Sequence, residues 1–367
     1  MRQLKGIYQI AAGILLQLCL LQPVWGQNYQ PCENFPNYCI STGNQKFTYY
    51  KIGQNLVDFV SMNAKMIMQN PKNPSLFVIS SNGSIENVIR MRHQPGVNMS
   101  IVQSDVLLHY KVEAEKGNRD AIGMINQLRV LLPLYQEEVH IIVRADSQIN
   151  WLHQLYGKKI SLGPKTSGSS LTGHLFYKLM TNNDLQESNV LYTVGDNSFD
   201  DSLNALLNQD VDALFMVTGQ PSGRLAEFPE KVKNLIKMVK VDYNNEVTTK
   251  IFNGPYYKSV IPKESYPWLT EDIPTISVRA YLVSKEYNRL QSKENIVKFV
   301  KSICRNFPTL KKNGHPKWKE MVLDLEKLPG GWRYSSDAEV ALKSKDCQQE
   351  CTPEQEMFKL CKKAGKK

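Results

Sequence analysis

The 367-residue chain is 42% hydrophobic, 9% aromatic and 22% charged, with Lys+Arg 45 against Asp+Glu 35 and a formal net charge of +10. Apolar content near the globular norm excludes a disordered chain, and this length can bury one large core or two medium ones. Only one segment, near the N-terminus, is apolar enough to enter a bilayer, which excludes a polytopic membrane protein. The positive balance admits an anionic partner without requiring one.

Residues 1–26 read as a secretory signal, with Arg2 and Lys5 ahead of the apolar stretch Ile7 to Leu21. Val24 and Gly26 place cleavage between Gly26 and Gln27. Gln9 and Gln17 interrupt the stretch, which argues against a permanent anchor, and Leu18 before Cys19 argues against a lipoprotein. Of the 7 cysteines, Cys19 leaves with the signal, so Cys32, Cys39, Cys304, Cys347, Cys351 and Cys361 remain. An even set in an exported chain reads as disulfides. Cys32 with Cys39 is the easiest local pair, and the other four are expected to staple the tail to the helix carrying Cys304. Zinc on Cys347, Cys351 and Cys361 is the rival, though no CxxC pair or nearby histidine supports it.

Residues 27–46 read as an irregular leader. Leu56, Val57, Phe59, Val60, Ala64, Ile67 and Met68 recur at near-helical spacing and predict an amphipathic helix over 53–69. Leu76 to Ile79 is a buried-strand candidate running into Ser80-Ser81-Asn82-Gly83-Ser84 and then a helix through Ile85, Val88 and Ile89. The unit recurs as strand Lys159 to Leu162, loop Gly163 to Ser170 and helix Leu171 to Met180. It recurs again as strand Ala213 to Val217, loop Thr218 to Gly223 and a short helix from Arg224. Alternating strands and helices predict an α/β fold with largely parallel sheets. Val139 to Val143 and Thr275 to Val283 stand out as the crossings between two lobes, and Asn288 to Phe307 reads as a long helix. From about Pro329 the chain turns polar, Lys-rich and Cys-rich, which reads as an appendage.

Each strand–loop–helix unit begins its helix with Gly, Ser, Thr or Asn. The first turn of a helix carries unpaired N–H donors and partial positive charge, so two such starts facing each other suit a carboxylate or phosphate. Ser84, Ser167, Ser169 and Ser170 can add hydroxyls there; the competing explanation for any one loop is ordinary N-capping. Enzyme signatures are poor. Gly163 to Ser170 has the glycine spacing of a phosphate loop, but Ser169 stands where the lysine is needed. Neither H-E-x-x-H nor G-x-S-x-G occurs, and His93, His109, His140, His153, His174 and His315 are scattered. There is no basic-aromatic repeat for nucleic acid. No enzyme, cofactor or metal is therefore expected.

Eight blocks, in order from about 41 to 310, carry a resemblance. They are Tyr49-Tyr50-Lys51-Ile52-Gly53, Asn82-Gly83-Ser84-Ile85-Glu86-Asn87, Gln103-Ser104-Asp105 and Leu134-Tyr135-Gln136-Glu137-Glu138-Val139-His140. Ser161-Leu162-Gly163-Pro164 with Ser167-Gly168-Ser169, Val211-Asp212-Ala213-Leu214-Phe215, Pro255-Tyr256-Tyr257 and Asp272-Ile273-Pro274-Thr275 complete the series. The sequence resembles the TAXI family of solute receptors, the extracytoplasmic subunits associated with TRAP-type secondary transporters. The resemblance implies a two-lobed periplasmic binding-protein fold (type II), with two mixed, largely parallel sheets flanked by helices and a ligand cleft between the lobes. It implies a periplasmic receptor for a small carboxylate, glutamate-like or a C4–C5 dicarboxylate, delivered to TRAP-type membrane subunits. The lobes are expected as 27–144 with 275–328, and 145–274, followed by the appendage 329–367. One wall would use Thr42, Gly43, Tyr50, Ser81, Ser84 and Gln103; the other Ser167, Gly168, Ser169 and Gly219, with Tyr135 near the hinge. Tyr49, Tyr256 and Tyr257 are expected to pack.

The chain also departs from the family pattern. Gln45, Lys46 and Phe47 interrupt a Gly- and Thr-rich run, Phe47 and Asn82 replace common glycines, and the cysteine-rich ends are extra. A receptor-derived interaction protein with an altered or vestigial cleft, held to an envelope partner through the appendage, is the alternative.

Overall fold

Two long apolar strands set the architecture of the computed structural model, which describes Cys32, residues 38–60 and residues 76–347. They are β4, Leu128–Arg144, and β10, Ile273–Lys285. Both are buried along nearly their whole length, the pattern of a strand covered on both faces. The other strands are β1 (Tyr38–Ser41), β2 (Leu76–Ile79), β3 (Val97–Gln103), β5 (Ile160–Gly163), β6 (Val190–Tyr192), β7 (Ala213–Thr218), β8 (Ile236–Met238) and β9 (Tyr256–Ile261). They form one mixed sheet in the order β2-β1-β3-β10-β4-β7-β5-β6, with β9 on β10 and β8 on β4. The two expected sheets are thus joined, because β4 and β10 run through both. Pairing is parallel at the flanks and antiparallel wherever a strand meets β4 or β10.

The neighbours of the long strands change halfway along. β10 pairs with β9 over Ile273–Val278 and with β3 over Ala280–Ser284. β4 meets β7 only from Glu138 onward. Their shared register is irregular between Arg279 and Tyr281, at that change. One half of the sheet is therefore lobe I and the other lobe II, joined by two continuous strands.

Helices cover both faces: α1 (Thr48–Asn55), α2 (Ser84–His93), α3 (Ser104–Glu115), α4 (Arg119–Gln127), α5 (Gly168–Thr181), α6 (Ser198–Leu207), α7 (Leu290–Asn313) and α8 (Ser336–Leu342). Their ends follow local chemistry. Asn118 caps α4 by accepting from the Asp120 and Ala121 amides, and α5 stops at Asn182 with φ of 59°, a left-handed cap. The helix expected over 53–69 starts earlier, at Thr48, and its last residues lie outside the described ones. Lobe I packs Leu131, Leu132, Ile303, Phe307 and Trp318 on one face of the sheet, and Val88, Met91, Val106 and Val283 on another. Lobe II is built likewise around Ile141, Leu162 and Phe176, and around Leu206, Leu214 and Tyr266.

Residues 329–347 lie against lobe I. The Val130 amide donates to the Arg333 carbonyl at 2.9 Å, Trp332 Nε1 donates to the Leu107 carbonyl at 3.1 Å, and Ala338 and Ala341 are buried beside α7. Disulfides join Cys32 to Cys39 and Cys304 to Cys347. The second ties this segment to α7, as the cysteine pattern predicts, and it corrects the zinc alternative, since a disulfide sulfur has no thiolate to offer. Among the described residues no cluster could hold a metal ion, and no helix is long and apolar enough to cross a membrane. The signal, Cys351 and Cys361 lie outside the described residues.

Candidate functional site

Five helix starts converge between the lobes. α1, α2 and α3 begin at Thr48, Ser84 and Ser104 in lobe I; α5 and α6 begin at Gly168 and Ser198 in lobe II. Around them is a cavity of about 420 Å³, lined from lobe I by Gly43, Asn44, Phe47, Tyr49, Ser80–Ser84, Glu86, Arg90, Gln103 and Glu137. Lobe II supplies Leu162–Pro164, Ser167–Ser169, Gly195, Asp196, Ser198, Phe199, Ser202 and Leu214–Thr218. Helix starts reach this point because the strands of the two lobes run toward it from opposite directions and end at the crossing, Gln103 against Ala280 and Thr218 against Glu138, so that their carboxyl ends face each other.

The walls meet closely. The Glu86 amide donates to the Thr166 carbonyl at 3.0 Å, and Asn44 Nδ2 donates to the Asp196 carbonyl at 2.9 Å. Thr48 Oγ1 donates to the Gly219 carbonyl at 2.5 Å. Asp105, buried in α3, accepts from Thr172 Oγ1 at 2.6 Å and from Tyr256 Oη at 3.1 Å, both from lobe II. Burial raises the Asp105 carboxyl to about 6, against the opposing pull of the bonds from Thr172 and Tyr256. Phe47 meets Phe199 edge to face at 5.6 Å, and the cavity persists beside them.

Gly43, Ser81, Ser84, Gln103, Ser167, Gly168 and Ser169 of the expected site line the cavity together. Ser84 Oγ accepts from the Gln103 amide at 3.2 Å, Ser167 Oγ caps α5 by accepting from the Ser170 amide at 3.0 Å, and Ser169 Oγ accepts from the Val217 amide at 2.9 Å. The capping explanation therefore holds for Ser167. Gln103 Oε1 is buried without a hydrogen-bond partner and lies where a Cβ on Gly168 would fall, so Gly168 is needed for the lobes to meet.

Four expected residues do not line the cavity. Thr42 sits behind it, its Oγ1 donating to the Ile79 carbonyl at 3.0 Å. Gly219 is packed under Tyr135 and Thr48, Tyr135 is wholly buried at the crossing of the lobes, and Tyr50 is half-buried away from the cavity.

Its neighbour Tyr49, expected to pack, is the tyrosine that faces the cavity, because helix α1 turns residue 49 inward and residue 50 outward. Tyr256 does pack, with its ring 4.8 Å from that of Phe176, while Tyr257 is exposed.

One acid in β4, Glu137, completes the site; neither it nor its neighbour Glu138 was singled out from sequence. Glu137 is buried and accepts from Tyr49 Oη at 2.6 Å; Tyr49 Oη also lies 3.2 Å from Ser84 Oγ. Burial holds its carboxyl well above the usual range; the Tyr49 bond opposes this, and Glu138 and Asp105 add to it. Glu138 faces the other way, to Lys317 Nζ at 2.7 Å and the Gln220 amide at 3.0 Å. The available signal was the position of both acids inside a strand rich in Leu, Val and Ile. Arg90, buried in the cavity lining, pairs with Glu86 one helical turn before it.

Fold and site together define a mixed α/β chain of two lobes closed around a polar cavity. A model of the NMT1-like family matches residues 40–330, and the chain belongs to that family. Among solved structures, it is similar to an arginine transport system periplasmic binding protein from Legionella pneumophila. Identity is 15% and the TM-score 0.42, over 76% of this chain and 94% of that one. It is also similar to the arginine-, lysine-, histidine-binding protein ArtJ from Geobacillus stearothermophilus, with 13% identity and a TM-score of 0.42, over 80% of this chain and 97% of that one. Likeness of this degree leaves the architecture to rest on the strand pairing of the chain itself.

Proposed function

We propose that the protein is an exported solute receptor of the TAXI type, which traps a small carboxylate between its lobes and delivers it to a TRAP-type membrane transporter. The observation that carries this reading is the convergence of five helix starts on one interlobe cavity, since helix N-termini favour negative charge. Membership of the NMT1-like family and the eight ordered sequence blocks support it. Gly43, Ser81, Ser84, Gln103, Ser167, Gly168 and Ser169 hold the ligand, with Tyr49 in the place first given to Tyr50. Cleavage after Gly26 leaves the receptor in the periplasm. The change of strand partners near Glu138 and Ala280 supports moving the lobe boundaries into β4 and β10 themselves. The cavity left beside Phe47 favours a working cleft over a vestigial one.

A thermal-shift screen with glutamate, glutamine, 2-oxoglutarate and succinate tests the proposal. A ligand at a hundred times its Kd adds about 2.7 kcal/mol of stability, so micromolar binding shows at millimolar ligand. Absence of any shift across small carboxylates and amino acids would count against it.

A further inference from the structure

Resting on the receptor reading, we propose that Glu137 sets specificity by receiving the ammonium group of a zwitterionic amino acid, whose carboxylate sits on the starts of α2 and α5. Three observations support this. First, the cavity holds acceptors as well as donors: the buried Glu137 carboxylate lines it, and the Gln103 Oε1 acceptor has no hydrogen-bond partner. Burial favours the neutral acid at Glu137 while the cleft is empty, and an ammonium brought against it, with the acid's proton released to water, would supply the cation that offsets desolvation of the ionised form. Second, the cationic side chain that lines the cavity, Arg90, is paired with Glu86, so helix starts rather than a guanidinium are left for the carboxylate. Third, the spacing is short. Glu137 Oε2 and Ser84 Oγ, the first side chain of α2, share the Tyr49 hydroxyl, at 2.6 and 3.2 Å. Acceptor and donor ends two hydrogen bonds apart fit an ammonium and a carboxylate on one carbon. The second carboxylate of a dicarboxylate would face either Glu137 or the apolar end formed by Phe47, Phe199, Leu214 and Met216. That apolar end favours an amino acid with an apolar side chain over glutamate.

Calorimetric titration of the purified chain tests this with L-leucine, L-phenylalanine, L-glutamate, succinate, 4-methylpentanoate (leucine without its ammonium) and 3-methylbutylamine (leucine without its carboxylate). The apolar amino acids should bind tightest, and loss of either charged group should weaken binding at least about a hundredfold, because a buried partner is then left unpaired. Glu137→Gln should weaken leucine at least about tenfold while leaving 4-methylpentanoate unchanged, with the melting temperature showing that the variant is folded. The analogue comparison on the unaltered chain stands even if that variant fails to fold. Succinate or 4-methylpentanoate binding as tightly as leucine would overturn this inference and leave the receptor reading intact. Binding of none of the six would overturn both.

Discussion

Lys317→Met removes the cation from the junction of the lobes. Lys317 is 0% exposed and its Nζ lies 2.7 Å from Glu138 Oε1, whose own side chain is 2% exposed. Glu138 keeps the Gln220 amide at 3.0 Å, while Glu320, the second carboxylate on Lys317, is 45% exposed and can be solvated instead. Deleting one partner of a buried pair costs about 3–5 kcal/mol, because the other charge is left uncompensated. That cost applies only while Glu138 is ionised. Burial already raises its carboxyl to about 7 with Lys317 in place, and Lys317 is the largest influence lowering it, so the variant titrates higher still. A carboxyl raised in the folded state favours folding most below its unfolded value, near 4.5, and that contribution is lost as pH rises through the folded one. The difference between variant and parent should therefore be small at pH 5 and grow by about 1.4 kcal/mol by pH 8, where the parent's Glu138 has ionised and the variant's has not. Urea unfolding of both proteins at the two pH values measures it. An equal loss at both, or a loss under about 1 kcal/mol at pH 8, would refute the reasoning.

Other perturbations probe different parts of the structure. Replacing Cys304 and Cys347 by serine opens a loop closed across 43 residues, with an expected loss of about 4 kcal/mol on the chain-entropy model; denaturant midpoints with and without reductant check it, and the variant should no longer respond to reduction at this bond. Gly219→Ala puts a methyl 2.6 Å from the wholly buried Tyr135 ring and 2.9 Å from Thr48 Cγ2. Overpacking there should cost about 1–3 kcal/mol, read by thermal unfolding. Asn55→Leu leaves the His315 amide and Trp318 Nε1, now bonded to Asn55 Oδ1 at 2.8 and 3.0 Å, without their acceptor. The expected loss is about 1–3 kcal/mol by the same assay, chiefly from the unpaired donor of the wholly buried Trp318.

Regular elements with one strong pattern were legible from sequence. Leu76–Ile79 has the expected bounds, and α5 starts at Gly168 rather than Leu171 only because its first turn is made of small polar residues. β4 was read as five residues and spans Leu128–Arg144. Pro133, Gln136, Glu137 and Glu138 break its apolar run, and tertiary partners satisfy the two acids: Tyr49 for one, Lys317 for the other. α7 was expected to end at Phe307, yet it continues through Pro308 to Asn313 because Leu310 is buried in the lobe I core. Loops around the cavity were found because Ser and Gly at helix starts mark both capping and anion binding. Tyr49 was exchanged with Tyr50 because a pair of tyrosines shows no facing until the helix is in place. Glu137 was missed because acidity inside a strand signals a site only once its burial is known.

The receptor account is tested most directly by titrating small carboxylates and amino acids into the purified chain and into its Gln103→Ala and Ser169→Ala variants. One solute per chain should bind, with an affinity at least about tenfold weaker in both variants while their melting temperatures stay near that of the parent. Failure of every such solute to bind the unaltered chain, or binding that neither substitution weakens, would contradict the account.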